Sequence, residues 1–243
     1  KKFESKTLLT FGGAYSNHIS ATAFATKKER LKSIGVIRGE EIFPLNPTLA
    51  FAEENGMKLH YVSREDYLLK TTPKFLNKLK AKFGDFYLLP EGGTNKLAIK
   101  GTSEILDEVD AQDYICCAVG TGGTIAGIIN ISNNKQTVIG FPAIKGFEQL
   151  EKDIKNWTNK KNYKFINNYI YGGYAKSNKE LIKFINQFYL IQNIPLDVIY
   201  TGKMMLGIID LVAKDYFPRG SSILAIHTGG LQGNKGMSER LGV

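Results

Sequence analysis

The chain holds 243 residues, 43% of them hydrophobic and 23% charged, with a formal net charge of +9 from 32 basic and 23 acidic side chains. These totals describe an ordinary globular protein with enough chain for one large or two modest domains. No apolar run approaches the roughly 20 residues that cross a bilayer, so no membrane-spanning helix is expected within these residues.

The charge raises the question of nucleic acid, and its distribution answers it. The lysines spread over 27–32, 70–82 and 152–164. Lys74, Lys78 and Lys82 recur at helical spacing opposite Phe75, Leu76 and Leu79, the pattern of a solvated helix face. With no zinc-finger spacing and no aromatic RNA-binding strand, no nucleic-acid partner, no membrane and no metal are expected. The two cysteines, Cys116 and Cys117, are adjacent in a strand-like run and point to opposite faces, so they do not pair with each other. A reducing, cytoplasmic home follows as the expectation.

Along the chain, strand and helix patterns alternate. The sequence predicts a strand over 7–11, a helix over 16–26, a strand over 33–37 and a helix over 47–55 that stops at Gly56. Next come a strand over 58–62, an amphipathic helix over 73–83 stopped by Gly84, and a strand over 86–89. Beyond the glycine-rich turn at 90–95 it predicts a helix over 99–109, a buried strand over 114–119 and a strand over 138–141. The stretch 157–174 is polar, aromatic and irregular, and fits no element. Helices over 179–189 and 203–214 and a strand over 222–226 complete the chain. Such alternation defines an α/β protein with parallel sheets. It divides into two open parallel-sheet α/β domains, a smaller one over 7–95 and a larger one over 96–243. Ligands of open parallel sheets bind at the carboxyl ends of strands, and three glycine-rich turns fall there.

The strongest is Val119-Gly120-Thr121-Gly122-Gly123-Thr124, where a buried strand turns into a helix. Glycines allow backbone N–H groups to face a phosphate, and the helix N-terminus adds about half a positive charge. A nicotinamide site would also need an acidic residue about 20 positions further on. The next strand ends in Phe141-Pro142-Ala143-Ile144-Lys145, which carries none, so a single phosphate fits better than a dinucleotide. The second turn, Gly12-Gly13-Ala14-Tyr15-Ser16-Asn17-His18, delivers Ser16 and Asn17 to the first turn of a helix, where either could also serve as a plain N-cap. The third is His227-Thr228-Gly229-Gly230, with Tyr200-Thr201-Gly202-Lys203 upstream.

Taken together, in this order and at this spacing, these segments resemble the 1-aminocyclopropane-1-carboxylate deaminase and D-cysteine desulfhydrase family, over essentially the whole chain. The resemblance implies the tryptophan-synthase-β-like fold (fold type II) of enzymes that use pyridoxal 5'-phosphate (PLP), with the cofactor in a cleft between two domains, a small amino-acid substrate and a homodimer. It implies Gly120, Thr121, Gly122, Gly123 and Thr124 as the phosphate cup and Asn17 as partner of the cofactor's ring hydroxyl. Ser16 would handle a substrate proton or carboxylate, Tyr200 would be an acid/base group, and Thr228 would meet the pyridine nitrogen. A neutral hydroxyl at that nitrogen makes a weaker electron sink than a carboxylate would, which suits elimination.

The chain departs from the family pattern at two places. The Schiff-base lysine of the family lies in a Gly-Asn-Lys segment upstream of the Ser-Asn-His motif, and no such segment precedes Lys6. The expectation is that this segment lies before residue 1, and that the numbered chain alone is nearly inactive; Gly233-Asn234-Lys235 spells the tripeptide in the wrong place and reads as a decoy. Ring-opening members carry a tyrosine after the His-x-Gly-Gly turn, where this chain has Met237 and no tyrosine from 231 to 243. D-Cysteine desulfhydration is favoured accordingly. The rival readings are a PLP-binding protein that has lost its chemistry and, disfavoured by the missing acidic residue, a nicotinamide oxidoreductase.

Overall fold

A computed structural model describes residues 5–106 and 111–234. The chain divides between Gly93 and Thr94 into two compact units.

The first unit is a four-stranded parallel sheet in the order β3-β2-β1-β4, built from β1 (Thr7–Gly13), β2 (Lys32–Arg38), β3 (Met57–Val62) and β4 (Tyr87–Leu88). The period of two along the strands sends alternate residues to opposite faces, and each face finds helices to bury it. Leu9, Phe11, Ile34 and Val36 pack with Tyr67, Phe75 and Leu79, from α3 (Arg64–Leu68) and α4 (Pro73–Phe83). Ile37 and Met57 pack on the other face with Ile19, Ala23, Leu49 and Ala52, from α1 (Asn17–Lys28) and α2 (Pro47–Glu54). All four helices start under a polar side chain that accepts a first-turn N–H: Ser16, Asn46, Ser63 and Thr72. The five-residue α3 was not among the predicted elements, and the strand expected over 86–89 shortens to Tyr87–Leu88.

The second unit opens with α5 (Lys96–Thr102) and a 3-10 turn at Ser103–Ile105, where a helix over 99–109 was expected; 107–110 lie outside the described residues. Its parallel sheet has the order β7-β6-β5-β8, from β5 (Tyr114–Val119), β6 (Thr137–Pro142), β7 (Tyr163–Phe165) and β8 (Ile223–Ile226). Ile115, Cys117, Val119 and Val138 face α6 (Gly123–Ile131) and α7 (Phe147–Trp157). Cys116, Ala118, Ile139 and Phe141 face α9 (Thr201–Ala213), and α8 (Lys179–Gln192) precedes it. The adjacent cysteines therefore lie in different cores, and both are free. Helix α7 and strand β7 are additions to the predicted elements; β7 lies in the stretch 157–174 that fitted none.

Helix α6 packs so closely on α5 that Gly127 has no room for a side chain. A Cβ there would overlap Thr102 Oγ1 and stand 2.6 Å from the Ile99 carbonyl oxygen. Alanine gains about 1 kcal/mol of helix propensity over glycine, but a backbone oxygen cannot swing aside. Gly127→Ala should lower stability by about 2 kcal/mol net, read from the urea midpoint.

Candidate functional site

Parallel strands deliver their carboxyl ends to one edge of each sheet, and the residues singled out in the sequence lie at these edges. In the first unit, β1 ends at Gly13 and the Ser16 N–H closes back on the Gly13 carbonyl at 3.1 Å. Ser16 is the N-cap of α1, its Oγ accepting the Ile19 N–H at 3.3 Å. The hydroxyl keeps its O–H proton and a second lone pair to offer a ligand. Asn17 follows, half-buried, as the first helical residue.

His18 faces the interior. Its Nε2 lies 2.6 Å from Thr10 Oγ1, and that hydroxyl donates its own proton to the Leu89 carbonyl at 3.0 Å. Thr10 must therefore accept, which assigns the Nε2–H tautomer to His18. Burial pulls the His18 pKa down from 6.5 to about 4, with the Glu91 carboxylate opposing. His18 is thus a neutral strut tying the first turn of α1 to β1 and to the end of β4.

In the second unit, β5 runs into Gly120-Thr121-Gly122 and α6 begins at Gly123. Gly122 takes a left-handed φ of 89° as N-cap, and no side chain caps the helix. Its first-turn N–H groups therefore lack the acceptor that every helix of the first unit has. Side chains are excluded by packing as well: a Cβ on Gly122 would come 2.7 Å from Leu150 Cδ1, and one on Gly123 2.8 Å from Thr94 Oγ1. Thr124 is half-buried in the first turn and Thr121 is exposed beside it, its hydroxyl 2.6 Å from that of Thr94. Thr94 stands in the turn the sequence marked only as a boundary. A bare backbone turn with a positive helix end and hydroxyls at its rim fits the phosphate of PLP.

Tyr200 lies against this turn, where a Cβ on Gly120 would stand 3.3 Å from the Tyr200 hydroxyl oxygen. It is held by Asp197. The buried Asp197 carboxylate accepts the N–H groups of Ile199 and Tyr200 at 2.9 Å and of Thr201 at 2.7 Å, plus the Thr201 hydroxyl at 2.8 Å. The Asp197 N–H returns to Thr201 Oγ1 at 2.8 Å. This reciprocal arrangement starts α9 and fixes Tyr200 as the residue that precedes its first turn. Burial, with Tyr174 and Asp197 nearby, pushes the Tyr200 phenol well above the usual tyrosine range, so it keeps its proton at neutral pH. Asp197 was missed in the sequence, where Tyr200 and not Glu or Gln stands three positions on and no capping box can be read.

Thr228 lies two residues past the end of β8, beside the edge where β5 gives way to the glycine turn. It is exposed, and its turn is fixed by His227, whose Nε2 meets the Pro195 carbonyl at 2.8 Å and whose Nδ1 accepts the Gly229 N–H at 3.1 Å. Asn234 has a structural task, bonding the Leu196 carbonyl at 2.9 Å and the Val198 N–H at 3.2 Å. Lys235 and Met237 lie outside the described residues. Among the described residues there is no cluster of three or more metal-ligating groups, and no helix is long and apolar enough to cross a membrane.

An uncapped glycine turn has a phenol seated on it and a hydroxyl at the neighbouring strand end, a set of groups that a phosphate-bearing cofactor would fit. The profile of the pyridoxal-phosphate dependent enzymes matches residues 4–229, and the chain belongs to that family. It is 32% identical to a Pyrococcus abyssi protein provisionally named 1-aminocyclopropane-1-carboxylate deaminase, over 93% of this chain and 74% of that one. It is 30% identical to the bifunctional D-cysteine desulfhydrase/1-aminocyclopropane-1-carboxylate deaminase of Arabidopsis thaliana mitochondria, over 93% and 64% respectively. Among solved structures, an ACC deaminase homologue superposes with a TM-score of 0.81 at 26% identity, covering 98% of this chain and 78% of the other. The fold is that of the fold-type-II PLP enzymes, and the cofactor is PLP.

The neutral His18 strut carries a pH dependence. As pH falls through 6.5 the unfolded chain binds a proton that the native histidine refuses until about 4, so stability is complete above 6.5 and is lost across that interval. At about 1.4 kcal/mol per unit the loss has an upper bound of about 3.5 kcal/mol. Urea midpoints of the wild-type protein should fall more steeply between those pH values than those of His18→Gln, which cannot titrate.

Proposed function

We propose that the protein is a PLP-dependent lyase that removes ammonia from a small amino acid, with D-cysteine preferred over 1-aminocyclopropane-1-carboxylate. The observation that carries this reading is the Tyr200 phenol, kept protonated by burial and seated on an uncapped glycine turn. PLP, when bound, supplies the electron sink for bond cleavage at the substrate's α and β carbons. The amides of Gly120–Thr124 would hold its phosphate and Asn17 its ring hydroxyl. Thr228 would offer the pyridine nitrogen a neutral hydroxyl. Ser16, whose oxygen already accepts the Ile19 N–H, would donate to the substrate carboxylate. Tyr200 would give its proton to the leaving group as general acid.

D-Cysteine and water then become pyruvate, ammonia and hydrogen sulfide; the cyclopropane substrate and water become 2-oxobutanoate and ammonia. The first is favoured because Tyr200 is the phenol placed at the turn, and the segment 231–243 holds no tyrosine to serve ring opening. A homodimer in a reducing compartment completes the proposal. The cysteine pair is compatible with that setting, since burial pushes both thiols up to about 12 and makes them inert.

The test is an assay of the full gene product, loaded with PLP, for hydrogen sulfide and 2-oxo acid. D-Cysteine should be consumed roughly tenfold or more faster than the cyclopropane acid, and Tyr200→Phe should cut kcat on the order of 100-fold with PLP still bound. Product from neither substrate would overturn the reading.

A further inference from the structure

The stretch 170–176 is built with unusual care for an irregular segment. Two turns follow one another: the Gly173 N–H closes on the Ile170 carbonyl at 3.1 Å, and the Lys176 N–H on the Gly173 carbonyl at 3.2 Å. Four of the five residues from 171 to 175 have left-handed φ: Tyr171 at 51°, Gly172 at 86°, Gly173 at 116° and Ala175 at 51°. Tyrosine and alanine resist that region, and strained backbone of this kind persists only where its surroundings impose it.

What imposes it is Lys203. This side chain is 1% exposed, and its Nζ donates to the same two carbonyls, Ile170 at 2.8 Å and Gly173 at 2.9 Å. One ammonium thus gathers the first carbonyl of both turns. Burial pulls its pKa down from 10.5 to about 8, with Asp197 opposing, so the ammonium form is retained at neutral pH. A buried charge held by carbonyl oxygens is costly, and none of the cofactor- or substrate-binding roles assigned above calls on it. Tyr171 and Ala175 pack with Leu181, Val198 and Ile199 beneath Tyr200. Tyr174, between them, sits at the tip of the second turn, 46% exposed, with its ring edge-on to Tyr200 at 6.3 Å.

We propose that Lys203 is a positioning residue, clamping the paired turns so that Tyr174 forms the side wall of the amino-acid subsite next to Tyr200, where it sets the size of side chain accepted. The proposal rests on the PLP-lyase reading for the identity of the ligand, and on the clamp geometry for the rest. Methionine at 203 keeps the apolar stem and removes the donors.

The test uses the full PLP-loaded protein with D-cysteine, together with hydrogen exchange of the peptide 169–176. Lys203→Met should raise exchange of that peptide while leaving the 120–124 turn protected. It should also raise KM roughly tenfold, with kcat and PLP affinity changed by less than about threefold, the signature of lost substrate binding. Tyr174→Ala, at an exposed ring, should reproduce the KM change without the exchange change, and decides the matter should Lys203→Met fail to fold. Unchanged exchange in Lys203→Met, or an unchanged KM in Tyr174→Ala, would overturn the proposal. Absence of turnover by the wild-type protein would sink the lyase reading instead, and the exchange result would still decide the clamp.

Discussion

The Asp197 carboxylate is withdrawn from water, and the organisation of the second unit's site follows from what that withdrawal demands. An ionised carboxylate in a protein interior is tolerated only when its lone pairs are met by hydrogen bonds. Asp197 meets them with three successive backbone N–H groups and the Thr201 hydroxyl. Those N–H groups can converge on one side chain in a single backbone arrangement, and that arrangement starts α9 and stands Tyr200 on the glycine turn. The segment leading into it is pinned from outside by His227 on Pro195 and by Asn234 on Leu196 and Val198. Turns that look separate in the sequence are thereby parts of one polar scaffold. Lys203, three residues past Tyr200, is the second buried charge of this unit, and the field of Asp197 favours its ammonium form.

The start of α6 at the glycine turn differs from the helix starts of the first unit. In the first unit Ser16, Asn46, Ser63 and Thr72 satisfy the helices from within. In the second, α6 begins on Gly122 with no side-chain acceptor, while neighbouring side chains crowd the turn closely enough to keep it free of side chains of its own. A fold built for stability alone would cap that helix, a substitution worth about 1 kcal/mol. Leaving its amides open has a purpose when an anion is to be held there.

Much of this was legible in the sequence because it is local. Helix α4 was read over its full span, since Thr72 and Pro73 announce its start and Gly84 its stop. Strand β5 was likewise read to its ends, being a run of six mostly apolar residues flanked by polar and glycine positions. The phosphate turn needs only neighbours in the chain. Helix α7 escaped although Leu150, Ile154 and Trp157 keep helical spacing, because it begins at a left-handed glycine in place of a polar cap and leads into the irregular stretch. Asp197 stands in no motif, and Lys203 is only the end of the Tyr200-Thr201-Gly202-Lys203 segment. Their burial depends on a cap closed in three dimensions and on carbonyls about 30 residues upstream, at 170 and 173, which no local pattern reports. Ser16 illustrates the reverse: the plain reading of an N-cap holds in the structure, and the capping bond still leaves the hydroxyl proton for a ligand.

The central claim is that the open amides at the start of α6 are a phosphate site. The most direct measurement is a crystal structure of the full PLP-loaded protein, with the phosphate located in difference density. The account predicts the phosphate on the backbone N–H groups of Gly120–Thr124, against the Tyr200 ring. A phosphate bound elsewhere, with those amides facing solvent, would contradict it.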